Sequence, residues 1–216
     1  MRKLLTLIAA LCFTGSLLAQ NTRNKVSQEA NSGIPFSKEE INQLFSIARN
    51  SIYKKLYENK TQIIDPSTVL PDLKKNMGAF VTLNIGTTLR GCIGKFAETD
   101  PLYEVVNQMA VAAASEDTRF PPVSKEEFNK LKIEISVLGP LKKIHDISEI
   151  VLGKHGIYIE KYFRSGTILP QVATSNHWTV EQFLGYTSRD KAGIGWDGWK
   201  TADIFIYEAI VLEENK

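Results

Sequence analysis

The chain has 216 residues, of which 43% are hydrophobic, 23% charged and 9% aromatic. That balance excludes disordered, collagenous and low-complexity classes, and the length suits one domain or a compact pair with a real core. Lysine and arginine number 26 against 24 acids. Without clustered basic excess there is no footprint for a nucleic-acid partner.

The N-terminus reads as an export signal. Arg2 and Lys3 precede an apolar run from Leu4 to Leu18, and Ala19 suits the residue before a cleavage point. The run is short for a span of about 20 apolar residues. Leu11, ahead of Cys12, is not the small residue a lipid-attachment signal wants. Residues 1–19 are therefore read as a signal peptide, which places the protein in the periplasm or outside the cell; without such a signal it would be cytoplasmic. Cleavage removes two basic residues and leaves 24 bases against 24 acids, a neutral mature chain with no membrane span. Cys92 is then the sole thiol, which excludes an internal disulfide framework and a cysteine zinc cluster. His145, His155 and His177 lack metal-ligand spacing, and no metal or cofactor pattern is present.

Residues 20–36 are polar and read as a flexible lead. The folded part is expected over 37–213. Ser37 and Glu40 have capping-box spacing, and Ile41, Leu44, Phe45, Ala48, Ile52 and Leu56 follow at helical intervals, predicting a helix over 38–58. Residues 78–85 and 89–96 read as a hairpin turning at Gly86. Simple alternation puts Arg90 and Cys92 on one face and Leu89, Gly91 and Ile93 on the other. Asp100-Pro101 starts a helix striped by Leu102, Val105, Val106, Met109, Ala110 and Ala113. Arg119-Phe120-Pro121-Pro122 breaks it. Ser124 and Glu127 form a second capping box before a short helix, and residues 132–138 alternate as a half-buried strand. Residues 156–160 and 167–172 read as strands, Thr179 and Gln182 open a further helix, and residues 204–212 close the chain as a strand. Strands and helices mix without regular βαβ alternation, so the fold class is α+β.

Leu89-Arg90-Gly91-Cys92-Ile93-Gly94 resembles the signature of the AMMECR domain family, whose microbial members are often described as AmmeMemoRadiSam system protein A. Residues 80–83, the Asp117-Thr118-Arg119-Phe120-Pro121-Pro122 turn, residues 134–138, 169–172, 178–184, 191–193 and Trp199 resemble further family blocks in the same order. The resemblance spans about residues 38–213. It implies a compact domain of two subdomains, with a mixed, mainly antiparallel sheet, flanking helices and a cleft. It implies no settled activity. An export signal is unusual in the family and fits poorly with a radical SAM partner.

Cys92 is the candidate catalytic residue. A thiolate is a strong nucleophile, and a guanidinium two residues away on the same strand face would lower its pKa. Arg90, Gly91, Gly94, Glu116, Arg119, His155 and Gln171 are candidate ligand-binding residues. The glycines allow close backbone approach. Glu116, Asp117 and Arg119 can supply an acid or an anion clamp, His155 a base for Cys92, and Gln171 a polar contact from a strand. Each has a structural counterpart: a packed thiol, a bulged strand, an Arg–acid loop lock, an exposed imidazole and a satisfied core amide. Two classes of function stand side by side. One is a cleft that binds or acts on a small molecule or peptide through Cys92. The other is a non-catalytic module that binds a protein partner, with Cys92 as packing.

Overall fold

The computed structural model describes residues 36–96 and 99–214. The signal peptide over 1–19 and all but the last residue of the polar lead fall outside the described residues. The first helix, α1 (Lys38–Tyr53), starts as its capping box requires: Ser37 Oγ accepts from Glu40 N, and Glu40 returns the bond to Ser37 N. It buries Leu44, Ala48 and Ile52 and runs on through a π-turn over Lys54–Glu58.

Strands β1 (Gly78–Ile85) and β2 (Thr88–Lys95) form the expected hairpin. Helix α2 (Leu102–Ser115) follows, capped by Pro101 rather than Asp100, whose carboxylate instead pairs with Lys95 at 2.6 Å. The short α3 (Lys125–Phe128) carries the second capping box and leads into β3 (Leu131–Leu138). A brief strand, β4 (Lys142–Ile144), has too few residues to show periodicity in the sequence. Next come β5 (His155–Lys161) and β6 (Arg164–Ile168).

Here one sequence expectation fails. Residues 169–172 are not strand: α4 (Pro170–Ser175) begins there, with Pro170 in the first helical turn, where a missing N–H costs nothing. Helix α5 (Val180–Tyr186) has the third capping box, and β7 (Asp203–Glu213) ends the fold.

The seven strands form one sheet in the order β2-β1-β3-β7-β5-β6, with β4 also on β7. Every pair is antiparallel, so the expected parallel admixture is absent among the described residues. The eleven residues of β7 join two halves: Ala209–Glu213 pair with β3, and Asp203–Glu208 with β5.

Within one compact domain, each half of the sheet has its own core. Ala79, Val81, Leu83, Ile133 and Ile135 pack beneath α1 and α2. Ile157, Ile159, Ile168 and Ile206 pack with Ala173, Phe183 and Leu184 of α4 and α5. A smaller cluster of Leu138, Leu169, Tyr207 and Ala209, with Phe80, Phe96 and Tyr158 against it, lies between them. Alternation places Phe80, Tyr158, Tyr207 and Ala209 on the sheet face opposite the α1/α2 core.

The tryptophans belong to packing rather than to a platform. Trp178 stacks on Tyr186 at 4.3 Å, and Trp196 meets Tyr186 edge-on at 5.0 Å. At the far edge of the sheet, Tyr162 and Phe163 form the β5–β6 turn and project into solvent, 86% and 106% exposed.

Candidate functional site

The register determines which residues share the face away from α1 and α2. Thr82 of β1 is directly opposite Cys92 of β2 on one side and Glu134 of β3 on the other, and Glu134 is opposite Glu213 of β7. Cys92, Thr82, Glu134 and Glu213 thus form a row across four strands.

β2 is an edge strand, so half its backbone polar groups need partners from outside the sheet. Cys92 has both of its groups satisfied by the turn after α2. Its N–H donates to Asp117 Oδ2 at 2.9 Å, and its carbonyl accepts from Arg119 Nη2 at 3.1 Å. Because those groups point outward, Cys92 and Thr82 are a non-hydrogen-bonded pair, the kind whose side chains approach most closely. Thr82 Oγ1 donates to Cys92 Sγ at 3.2 Å.

Asp117 is the anchor. It is 6% exposed and also accepts from Arg119 N at 3.2 Å, Nε at 2.8 Å and Nη2 at 2.6 Å. The Arg119 guanidinium holds its carboxyl far below the usual carboxylate range.

Arg90 is elsewhere. The register slips between Leu83, opposite Gly91, and Asn84, opposite Leu89, leaving Arg90 as the extra residue of a bulge. Its side chain forms a two-pronged pair with Glu127, Nε to Oε1 at 2.8 Å and Nη2 to Oε2 at 2.9 Å, and donates to the carbonyls of Pro121 and Pro122. That pair holds the Glu127 carboxyl down at about 2. The expected Arg90–thiol partnership is therefore corrected: Arg119 is the guanidinium at Cys92, and Arg90 braces the proline turn.

Cys92 is free and half-buried. Burial pushes its thiol up from the ordinary value. The Thr82 hydroxyl and Arg119 pull it back, while Glu134 and Asp117 add to the rise. The depressed thiol pKa expected from the sequence is thus reversed, because desolvation outweighs one half-exposed guanidinium. Glu134 is raised by burial and by the Glu213 carboxylate.

Gln171 does reach this row, from α4 rather than from a strand. Its Nε2 donates to Glu134 Oε1 at 3.4 Å. Its own Oε1 is buried without a protein hydrogen-bond partner, and the buried Ser136 hydroxyl is beside the Glu134 carboxyl, whose pKa it draws down. The opposite amide orientation would set that oxygen against a carboxylate.

Gly91 faces the other way, against α2. Gly94 is on the face away from α1 and α2, where a Cβ would stand 2.2 Å from the Phe80 ring. Glu116 is exposed at the end of α2, so its neighbour Asp117 is the acid of the site. His155 is not a base for Cys92. It pairs in register with Glu208, so its side chain leaves the face opposite to Tyr207 and Cys92, and its Nδ1 accepts from Val151 N at 3.1 Å. Burial lowers its pKa. Thr82, Glu134 and Ser136 were missed by sequence reading. The signal for Glu134 was a carboxylate between Ile133 and Ile135 in an alternating strand, but its neighbours depend on register. Among the described residues no group of three His, Cys, Asp or Glu side chains is placed to hold a metal ion.

The AMMECR1 family model matches residues 45–212. A protein of Thermococcus gammatolerans is 39% identical over 184 residues, covering 80% of this chain and 89% of its own length. Protein PH0010 of Pyrococcus horikoshii is likewise 39% identical over 184 residues, with 80% and 88% covered. The solved structure "Crystal Structure of Uncharacterized Protein PH0010 From Pyrococcus horikoshii" is similar with a TM-score of 0.77 at 36% identity, covering 83% of this chain and 94% of that one.

Proposed function

Since the chain belongs to the AMMECR1 family, whose signature here places Cys92 on the sheet face away from α1 and α2, we propose that this face binds a small polar molecule or peptide, with Cys92 as a protonated thiol contact. The observation that carries the reading is the convergence on one face of the half-buried thiol, the Thr82 hydroxyl, the Glu134 carboxyl and the unmatched acceptor Gln171 Oε1. That acceptor and the Glu134 carboxyl suit a ligand with hydrogen-bond donors, since buried polar groups are normally paired. Phe80, Phe96 and Tyr158 supply apolar surface beside them.

The raised thiol pKa supports binding rather than resting-state nucleophilic chemistry, because the thiolate is the nucleophile. It also favours the second reading, a non-catalytic module that binds a protein partner, in which Cys92 only packs. Both readings are separated by one experiment.

Cys92 alkylation by iodoacetamide is followed against pH on the folded chain, with Cys92 distinguished from Cys12 by peptide mass. The expected profile has a midpoint above the free-thiol value of about 8.5. Glu134→Gln moves it down, Arg119→Met moves it up, and Arg90→Ala leaves it in place. A midpoint below the free-thiol value would overturn the protonated-thiol site. A thiol that reacts only after unfolding would make Cys92 packing and leave the protein-binding module. Export to the periplasm or beyond is part of the same proposal, supported by the pattern of residues 1–19. Its check is whether the full-length chain is processed and leaves the cytoplasm when expressed in a bacterium.

A further inference from the structure

The tip of the β5–β6 hairpin breaks three local preferences at once. Lys161 and Arg164 are register partners, which leaves Tyr162 and Phe163 as a two-residue turn. Such turns place glycine, asparagine or aspartate where φ is positive, yet Tyr162 has φ 57°. Both aromatic side chains stand in solvent rather than folding back, at 86% and 106% exposure. Beneath them two cations are directly opposite each other, an arrangement that destabilises a strand pair. Neither cation has a carboxylate partner among the described residues. Lys161 Nζ donates to Thr201 Oγ1 at 2.7 Å, and Arg164 Nη1 donates to the carbonyl of Gly193.

We infer that this tip is a peripheral membrane contact: Tyr162 and Phe163 enter the interfacial layer of an anionic bilayer while Lys161 and Arg164 meet its phosphates. Aromatic rings favour the headgroup level, and basic side chains are drawn to an anionic leaflet. Lys161 Nζ is also 5.9 Å from the Tyr162 ring centroid, so ring and cation present themselves together, and one anionic surface takes both the exposed rings and the two cations that have no carboxylate partner among the described residues. A bilayer fits better than a protein. Two side chains on a convex turn offer far less than the roughly 800 Å² per partner of a specific protein interface, whereas a bilayer accepts a point contact without a complementary shape. The contact is reversible and does not span: no helix among the described residues is long and apolar enough to cross a membrane. Because β6 and β2 are opposite ends of the strand order, the tip and Cys92 belong to different edges of the sheet. The inference does not depend on the reading of the Cys92 face.

The test is co-sedimentation of the full chain with vesicles of phosphatidylcholine containing roughly 30% phosphatidylglycerol, and with phosphatidylcholine alone, at low and high salt. Every variant keeps the same residues 1–35, so any binding they contribute is common to all. Tyr162→Asn/Phe163→Ser is expected to weaken binding to the anionic vesicles about tenfold, and Lys161→Ser/Arg164→Ser to remove the preference for anionic lipid. Asparagine accepts positive φ, so the aromatic variant keeps or raises its unfolding temperature, which separates lost contact from lost fold. In Phe163→Trp, the added indole is expected to shift to the blue and be quenched by brominated lipid. A native chain that ignores anionic vesicles, equal binding by the native chain and the aromatic variant, or an unquenched indole would overturn the inference. Native indifference to vesicles would leave a protein surface as what covers the tip.

Discussion

Gly91→Ala is expected to lower the unfolding temperature by about 6–12 °C, the largest single effect in the signature. A Cβ on Gly91 would stand 2.0 Å from Ala113 O and 3.0 Å from Ala113 C. Both are backbone atoms of α2, so no side-chain rotation relieves the clash. Either the helix lifts away from β1 and β2 or the edge strand peels back. Overpacking a well-filled core costs about 1–3 kcal/mol. With backbone on both sides the upper end applies, and a chain of this size loses about 2–4 °C per kcal/mol. A thermal melt followed by far-UV circular dichroism reads the change directly. An unchanged midpoint would mean that β2 and α2 do not meet through Gly91. The consequence extends to the site, because the same strand presents Cys92 one residue later and its edge is held by Asp117 and Arg119.

Asp117→Ala is the second large effect, about 2–3 kcal/mol at neutral pH. It strands the Cys92 N–H and deprives the Arg119 guanidinium of its partner. Removing one member of a buried pair costs about 3–5 kcal/mol. Arg119 is 47% exposed and regains water, so the loss is smaller. The pH dependence has a definite sign. A carboxyl whose pKa is depressed on folding adds stability above its unfolded value near 4 and loses it as pH falls toward the folded value. Asp117 is depressed by Arg119, and Glu127 is held at about 2 by Arg90, so both contribute in the same direction. The native chain should lose stability steeply from about pH 4 downward. Asp117→Ala should start lower and fall less. Urea unfolding midpoints at neutral and acid pH compare the two slopes; parallel slopes would show that the Asp117 charge does not support the fold.

These two effects bear on how the signature is understood. Glycine against a helix, an aspartate clamping an edge strand and an arginine bracing a proline turn all serve to hold β2 in place. Cys92 and Gly94 are turned to the face away from α1 and α2, and the bulge at Arg90 puts Leu89, opposite Asn84, on that face rather than with Gly91 and Ile93 as simple alternation expects. The motif therefore holds one edge of the sheet face that carries Cys92, and the polar groups nearest the thiol on that face come from Thr82, Glu134 and Gln171 on other elements.

Much of the fold was legible in the residues alone. The capping boxes at Ser37, Ser124 and Thr179 all form, because a cap and its partner lie three residues apart and need no tertiary context. The alternation in residues 78–85 and 132–138 became strands, and the ordered blocks around Cys92 identified the family. Register was not legible. A single bulge separated Arg90 from Cys92, and an antiparallel pairing turned His155 to the opposite face, since cross-strand partners depend on contacts far apart in sequence. Pro170 redirected residues expected as strand into α4, which carried Gln171 to Glu134. The thiol's protonation was decided by burial, a property of the packed structure that no residue spacing encodes: in sequence Cys92 is two positions from an arginine, but in the fold desolvation outweighs the arginine that reaches it.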